Sequence, residues 1–191
     1  MAQSSLRSAS RREVSPLLFG TVLFLASELL FFGGLFAAYF ALRAENDPWP
    51  PAFVHLDVPL AAVATGLLVV SSFTLQAGVA AGRRGSASAM RAWIAGSMAL
   101  GLAFLGMQGY DWLHLDFSVA TDAYGTMFYA MTGFHALHVL AGLLLMLVVV
   151  GREAQGAYRG GDLTGAEAVA YYWHFVDAVW IALFATLFLL R

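Results

Sequence analysis

Apolar and polar positions alternate along this chain in long blocks rather than at helical or strand spacing. Five apolar runs, over about 16–42, 58–81, 90–110, 124–150 and 165–190, are separated by short polar segments. Each run holds about twenty residues or more, enough to cross a hydrocarbon layer about 30 Å thick as a helix. The block pattern predicts an all-α membrane protein, a bundle of five transmembrane helices. Residues 1–15 read as a polar tail and residues 16–191 as a single membrane domain.

Local signals sharpen the boundaries. Ser15-Pro16 reads as a serine N-cap followed by proline in the first turn. Pro48-Trp49-Pro50-Pro51 cannot lie inside a helix and predicts an extended loop, with Trp49 placed for the headgroup zone. Gly82-Arg83-Arg84-Gly85-Ser86 reads as a tight polar turn. Asp111–Asp122 and Gly151–Gly161 read as loops, and Thr164-Gly165-Ala166-Glu167 fits a capping box. No internal repeat is evident, which argues against an inverted-repeat transporter. The first apolar run is too long for a signal-peptide core, so the first helix is expected to be retained.

Charge supplies an orientation. All ten basic residues are arginine. With the N-terminus inside, the inner segments hold Arg7, Arg11, Arg12, Arg83, Arg84, Arg91, Arg152 and Arg159, and the outer segments only Arg43 and Arg191. The outer segments are acidic instead: Glu45, Asp47, Asp57, Asp111, Asp116 and Asp122. The positive-inside rule predicts a cytoplasmic N-terminus and an outside C-terminus. A formal charge of −2 gives no basis for a nucleic-acid partner. The absence of cysteine excludes disulfides, thiolate metal sites, iron–sulfur clusters and thioether-linked heme through this chain. The Ala- and Gly-rich, lysine-free composition points to a GC-rich bacterial genome.

Glu28, His135, His138, His174 and Asp177 fall inside the apolar runs, where an ionisable group costs about 2.5–3.5 kcal/mol on insertion scales. At about 1.5 Å per residue, Glu28, His135, His138 and Asp177 lie in the middle third of the membrane, so they can meet. His135 and His138 are three apart and share a helix face, as do His174 and Asp177. Three readings compete. One is a buried polar core in which Glu28 meets an imidazole of the fourth helix and Asp177 lies near His174. A second is a proton-handling role, and a third a metal or heme site. A di-iron bundle wants about four carboxylates and two Glu-x-x-His motifs. The membrane segments supply only Glu28 and Asp177 and no such motif, so no metal, cofactor or catalytic residue is assigned to this chain. A bis-histidine heme is formally open, but no spacing demands it. His55 and His114 read as surface histidines. Gly33, Gly34, Ala37 and Ala38 in the first helix, and Gly96, Gly101 and Gly106 in the third, form small-residue faces suited to close helix contact. Ser71, Ser72 and Thr74 can hydrogen-bond backbone or neighbouring helices. Arg43, Arg83, Arg84 and Arg91 are candidate phospholipid-phosphate ligands, because guanidinium binds phosphate through two parallel hydrogen bonds.

Several strings carry a resemblance. Ser27-Glu28-Leu29-Leu30-Phe31-Phe32 with Ala37-Ala38-Tyr39-Phe40, Ser71-Ser72-Phe73-Thr74, and Gly109-Tyr110 are three of them. Thr132-Gly133-Phe134-His135-Ala136-Leu137-His138-Val139 with Gly142 is the fourth, and Tyr171-Tyr172-Trp173-His174-Phe175-Val176-Asp177-Ala178-Val179-Trp180 the fifth. Together they resemble cytochrome c oxidase subunit III of the heme-copper oxidases, in order along all five helices. The chain is similar to the short bacterial form that lacks the first two of seven helices, and looks closest to the aa3-type oxidases of high-GC bacteria. Quinol-oxidase and nitric-oxide-reductase-associated homologues share the five-helix plan, and a stand-alone proton channel is the rival from another class.

The resemblance implies a non-catalytic subunit of a proton-pumping oxidase in the bacterial cell membrane. It implies that heme a and copper reside in partner subunits. The implied partners are subunits I and II, with small subunits or a cytochrome bc complex as further candidates, and membrane phospholipid. It also implies that Glu28 matches the family's carbodiimide-reactive glutamate, and that the subunit sustains proton uptake by subunit I. The family's lipid cleft lies between its first two helices and the rest, so neighbouring subunits would complete it here.

Overall fold

The computed structural model describes residues 15–158 and 160–190. The polar tail over 1–14, with Arg7, Arg11 and Arg12, and also Arg159 and Arg191, lies outside them. Among the described residues the chain forms five α-helices: α1 (Pro16–Glu45), α2 (Val58–Arg83), α3 (Ala87–His114), α4 (Ala123–Ala154) and α5 (Thr164–Phe184). A single π-helical turn, Ala185–Leu189, carries α5 to its end. All five are long and apolar enough to cross a membrane.

The helix starts show which local signals matter. Asp57 caps α2 by accepting the Leu60 amide at 2.9 Å, and Asp122 caps α4 by accepting the Gly125 amide at 2.7 Å. Pro16 opens α1 as expected, but the Ser15 side chain makes no cap bond. The expected capping box of α5 does not form. Thr164 is already helical and donates its hydroxyl to Asp162 at 2.6 Å, while Glu167 is drawn away to an ion pair with Arg83. Two hydrogen bonds from Thr164 hold the Asp162 carboxyl below the usual range. The α2–α3 turn closes through Gly85 at φ +73°, a conformation that glycine adopts without a Cβ penalty.

Helices α3 and α4 run several residues past their expected ends. Asp111 and Glu153 read as loop residues, yet both sit in helix with their side chains turned inward. Glu153 is buried and pairs with Arg91 at 3.1 Å across the α3–α4 contact. Asp111 is 8% exposed and continues the buried α3 stripe of Ser97, Gly101, Phe104 and Gln108. The outer-loop placement of Asp111 is therefore corrected, because its helical spacing outranks its charge.

α2 and α3 form a closely packed antiparallel hairpin. α5 is the central helix, in contact with α1, α2 and α4. α1 is peripheral and leans on α4 and α5 alone in any substantial way. Only 6% of its most apolar stretch is buried, against 56% for α5. The core gathers on Trp173, which is fully buried and donates its indole N–H to Ser71 Oγ at 2.8 Å. The Trp173 ring lies against Gly142 and Gly101, and a Cβ at Gly142 would come within 2.5 Å of it. Of the small-residue faces, Gly101 serves the core. Gly33, Gly34, Gly96 and Gly106 have no atom near enough to contact an added Cβ, so they do not bring helices of this chain together.

Candidate functional site

Helix α1 carries Glu28 to mid-depth, and α4 carries His138 to meet it. Glu28 Oε2 lies 2.9 Å from His138 Nε2. The other ring nitrogen, Nδ1, lies 2.7 Å from the Phe134 carbonyl oxygen one turn back. A carbonyl only accepts, so Nδ1 carries a hydrogen. That leaves two arrangements for the short contact: a protonated Glu28 donates to a neutral Nε2, or an imidazolium Nε2–H donates to a carboxylate. Either way one proton lies between the two groups. Phe31 and Phe32 flank the imidazole, and Tyr172 donates its hydroxyl to the His138 carbonyl at 2.9 Å. The pair is set at the bundle surface, with side chains 18% and 17% exposed, and so is less enclosed than a buried core pair.

His135 separates from His138 despite their shared face. At three residues the two side chains diverge by about 60° around the helix. That turns His138 toward α1 and His135 into the core. The His135 ring stacks on Trp180 at 4.9 Å and meets the Phe104 edge at 5.7 Å. Neither of its ring nitrogens has a hydrogen-bond partner among the described residues. Its contacts are those of an aromatic filler.

His174 and Asp177 are joined through a residue of α2. Ser72 donates its hydroxyl to Asp177 Oδ2 and lies 2.8 Å from His174 Nδ1. His174 Nε2 lies 3.4 Å from Gln76 Oε1 at the bundle surface. The α2–α5 seam is therefore tied by polar contacts along its length. Trp180 donates to Thr65 at one end, Ser72 holds the middle, and Arg83 meets Glu167 at the other end. Among the described residues no three His, Asp or Glu side chains converge as a metal-binding group.

The arginine candidates have in-chain partners in three cases. Arg43 donates to the Leu190 carbonyl at 2.7 Å and caps the end of α5. Arg83 pairs with Glu167 and Arg91 with Glu153, whereas Arg84 is exposed at the α2–α3 turn. A groove opens between α1, α4 and α5, with a volume of about 800 Å³. Leu17, Phe24, Leu144, Val148 and Tyr172 line it. It runs into a recess of about 330 Å³ whose lining includes Arg152, Tyr158 and Thr164.

Sequence reasoning did not single out Gln76 or Thr65, nor give Ser72 its bridging place. Polar residues at 65, 72 and 76 mark one helix face, a signal that was present but weak against the apolar run. Arg152 entered only the orientation count, because its position at the mouth of a groove depends on three helices meeting.

The fold and site thus define a five-helix membrane protein in which Glu28 pairs with His138 across α1 and α4, and Ser72 of α2 bridges His174 and Asp177 of α5. The chain belongs to the cytochrome c oxidase subunit III family, which it matches over residues 5–190. It is 44% identical over 176 residues to the probable cytochrome c oxidase subunit 3 of Nocardia farcinica, covering 90% of this chain and 87% of that protein. The cytochrome c oxidase subunit 3 of Corynebacterium diphtheriae is also 44% identical, over 178 residues, with the same coverage. That of Thermostichus vulcanus is 41% identical over 172 residues, covering 90% of this chain and 86% of the relative. The resemblance drawn from the motif strings is borne out, including its link to high-GC actinobacteria. The chain is a membrane-embedded part of an oxidase complex.

Proposed function

We propose that this chain is the non-catalytic subunit III of a proton-pumping aa3-type cytochrome c oxidase in a bacterial plasma membrane. It would brace subunit I, retain phospholipid and sustain proton uptake, with subunits I and II supplying heme a and copper. The observation that carries this reading is the Glu28–His138 pair. It lies at mid-depth inside two of the motif strings that carry the resemblance, and it joins α1, the most loosely attached helix, to α4. A pair so placed fastens a peripheral helix and needs no redox group to explain it.

Arginine asymmetry supports a cytoplasmic N-terminus. The phospholipid reading is supported by the α1–α4–α5 groove, whose apolar wall fits acyl chains and whose mouth presents Arg152 to a phosphate. Arg84 remains a second candidate.

The test is purification through a tag on this chain in mild detergent, followed by a reduced-minus-oxidised spectrum and metal analysis. The reading expects a-type heme and copper to co-purify, and expects neither iron nor copper in the separated chain. A b- or o-type spectrum would place the chain in a quinol-oxidase or nitric-oxide-reductase system. Chromophore-free material that conducts protons in vesicles would refute the subunit reading.

A further inference from the structure

Gln108 and Asp111 lie one turn apart on the buried face of α3, 5% and 8% exposed. They sit near the end of the bundle where α2 starts and α3 finishes. Among the described residues neither side chain finds the hydrogen-bond partner it needs. Gln108 Nε2 is enclosed and reaches no acceptor, and the Asp111 carboxyl accepts no hydrogen bond. Side chains three apart on a helix can meet, yet these two do not bond to each other. A buried amide and a buried carboxyl left this way both oppose folding.

Both side chains line one small cavity. Ala61 and Ala64 of α2, Trp180 of α5 and Phe188 beyond it are also part of the wall. The volume is about 10 Å³. A single water needs about 10–15 Å³ of such space, so the cavity has room for one and not for a second. Cavities that stay dry are apolar, whereas this one has an amide and a carboxyl on its wall.

The bonding roles suit a water. The amide N–H needs an acceptor and the carboxyl oxygens need a donor, and a water is both. A half-turn that exchanges the amide oxygen and nitrogen leaves this unchanged, because water donates to the one as well as it accepts from the other. Trp180 does not compete, since its indole N–H is already given to Thr65 at 2.9 Å.

We infer that this cavity is a binding site for one ordered water, which bridges the Gln108 side-chain amide and the Asp111 carboxyl. The water satisfies the two polar side chains that α3 buries beside α2 and α5. It is a structural member and not a link in a proton path: among the described residues no third ionisable or hydroxyl side chain lines the cavity to carry a proton onward.

The test is a cryo-electron microscopy map of the oxidase complex purified through a tag on this chain, at a resolution that places ordered water. The expected result is one isolated peak at about 2.7–3.2 Å from both side chains. Gln108→Leu keeps a similar volume and removes the amide, so its map should lose the peak. Asp111→Asn keeps an acceptor oxygen and should retain it. If Gln108→Leu does not accumulate, the maps of the parent and of Asp111→Asn still decide. Three results would overturn the assignment. The first is a parent map without the peak, whether or not Gln108 turns to bond Asp111 directly. The second is a peak that survives Gln108→Leu. The third is a peak ringed at about 2.3–2.6 Å by six or more oxygens, which would be a cation.

Discussion

Glu28 Oε2 and His138 Nε2 are 2.9 Å apart, and the Phe134 carbonyl, by taking the Nδ1 hydrogen, leaves a single proton for the contact between them. This geometry separates the two roles open to the pair. A brace needs the hydrogen bond, while a relay needs the proton to leave. Among the described residues His138 has no second hydrogen-bond partner on its Nε2 side, and Glu28 makes no hydrogen bond or ion pair with any other side chain. The geometry favours the brace.

Core packing around Trp173 makes Gly142 the most sensitive small residue. A Cβ there would lie 2.5 Å from the indole ring, which is itself pinned by its bond to Ser71. Gly142→Ala should cost about 1–3 kcal/mol through overpacking. Thermal unfolding in detergent, followed by helical circular dichroism, should show a lower midpoint for Gly142→Ala. It should show little change for Gly33→Ala, whose added methyl meets nothing within this chain.

At the near end of α3 and α4, Arg91 faces a Glu153 side chain that is only 6% exposed. Arg91→Gln leaves that carboxylate short of a partner and should destabilise by about 1–3 kcal/mol, the cost of an unsatisfied buried group. Arg83→Gln breaks a pair whose arginine is 55% exposed and should cost under about 1 kcal/mol. Equal losses in the same unfolding assay would show that burial is not what separates them.

The start of α5 should be insensitive to pH near neutrality. Thr164 holds the folded Asp162 carboxyl below its ordinary pKa, so its contribution is present above the usual carboxylate range. It is lost only as the pH falls through the lower, folded value. Protection of the Thr164 and Glu167 amides, taken as their exchange rate relative to the intrinsic rate at each pH, should therefore match at pH 8 and pH 5. Lower protection at pH 5 would contradict this.

Phospholipid retention should depend on Arg152. Arg152→Leu should lower the phosphorus content of the purified oxidase, with the same change at Arg91 having less effect, because Arg91 already serves Glu153. Unchanged phosphorus with Arg152→Leu would remove the groove from the account.

The five helices were legible because each apolar run exceeds the membrane thickness, a signal that tertiary contacts do not override. Helix ends were less so. Asp111 and Glu153 look like loop residues until another helix gives them a place to be buried, and Glu167 looks like a cap residue until Arg83 claims it. The Glu28–histidine pairing was legible from depth, but the choice of His138 over His135 was not, since it turns on about 60° of helix rotation. The Ser72 bridge between His174 and Asp177 needed α2 and α5 side by side, and no spacing within one helix encodes that.

The most direct test is oxidase turnover and proton uptake with Glu28→Gln beside Glu28→Ala. The glutamine amide can donate to His138 Nε2 and keeps the brace while removing the titrating proton. The account predicts that Glu28→Gln assembles, takes up protons and sustains turnover nearly as the parent does. Glu28→Ala should lose the α1–α4 bond and shed the subunit or inactivate sooner. A Glu28→Gln oxidase that holds the subunit normally yet loses proton uptake would contradict the account.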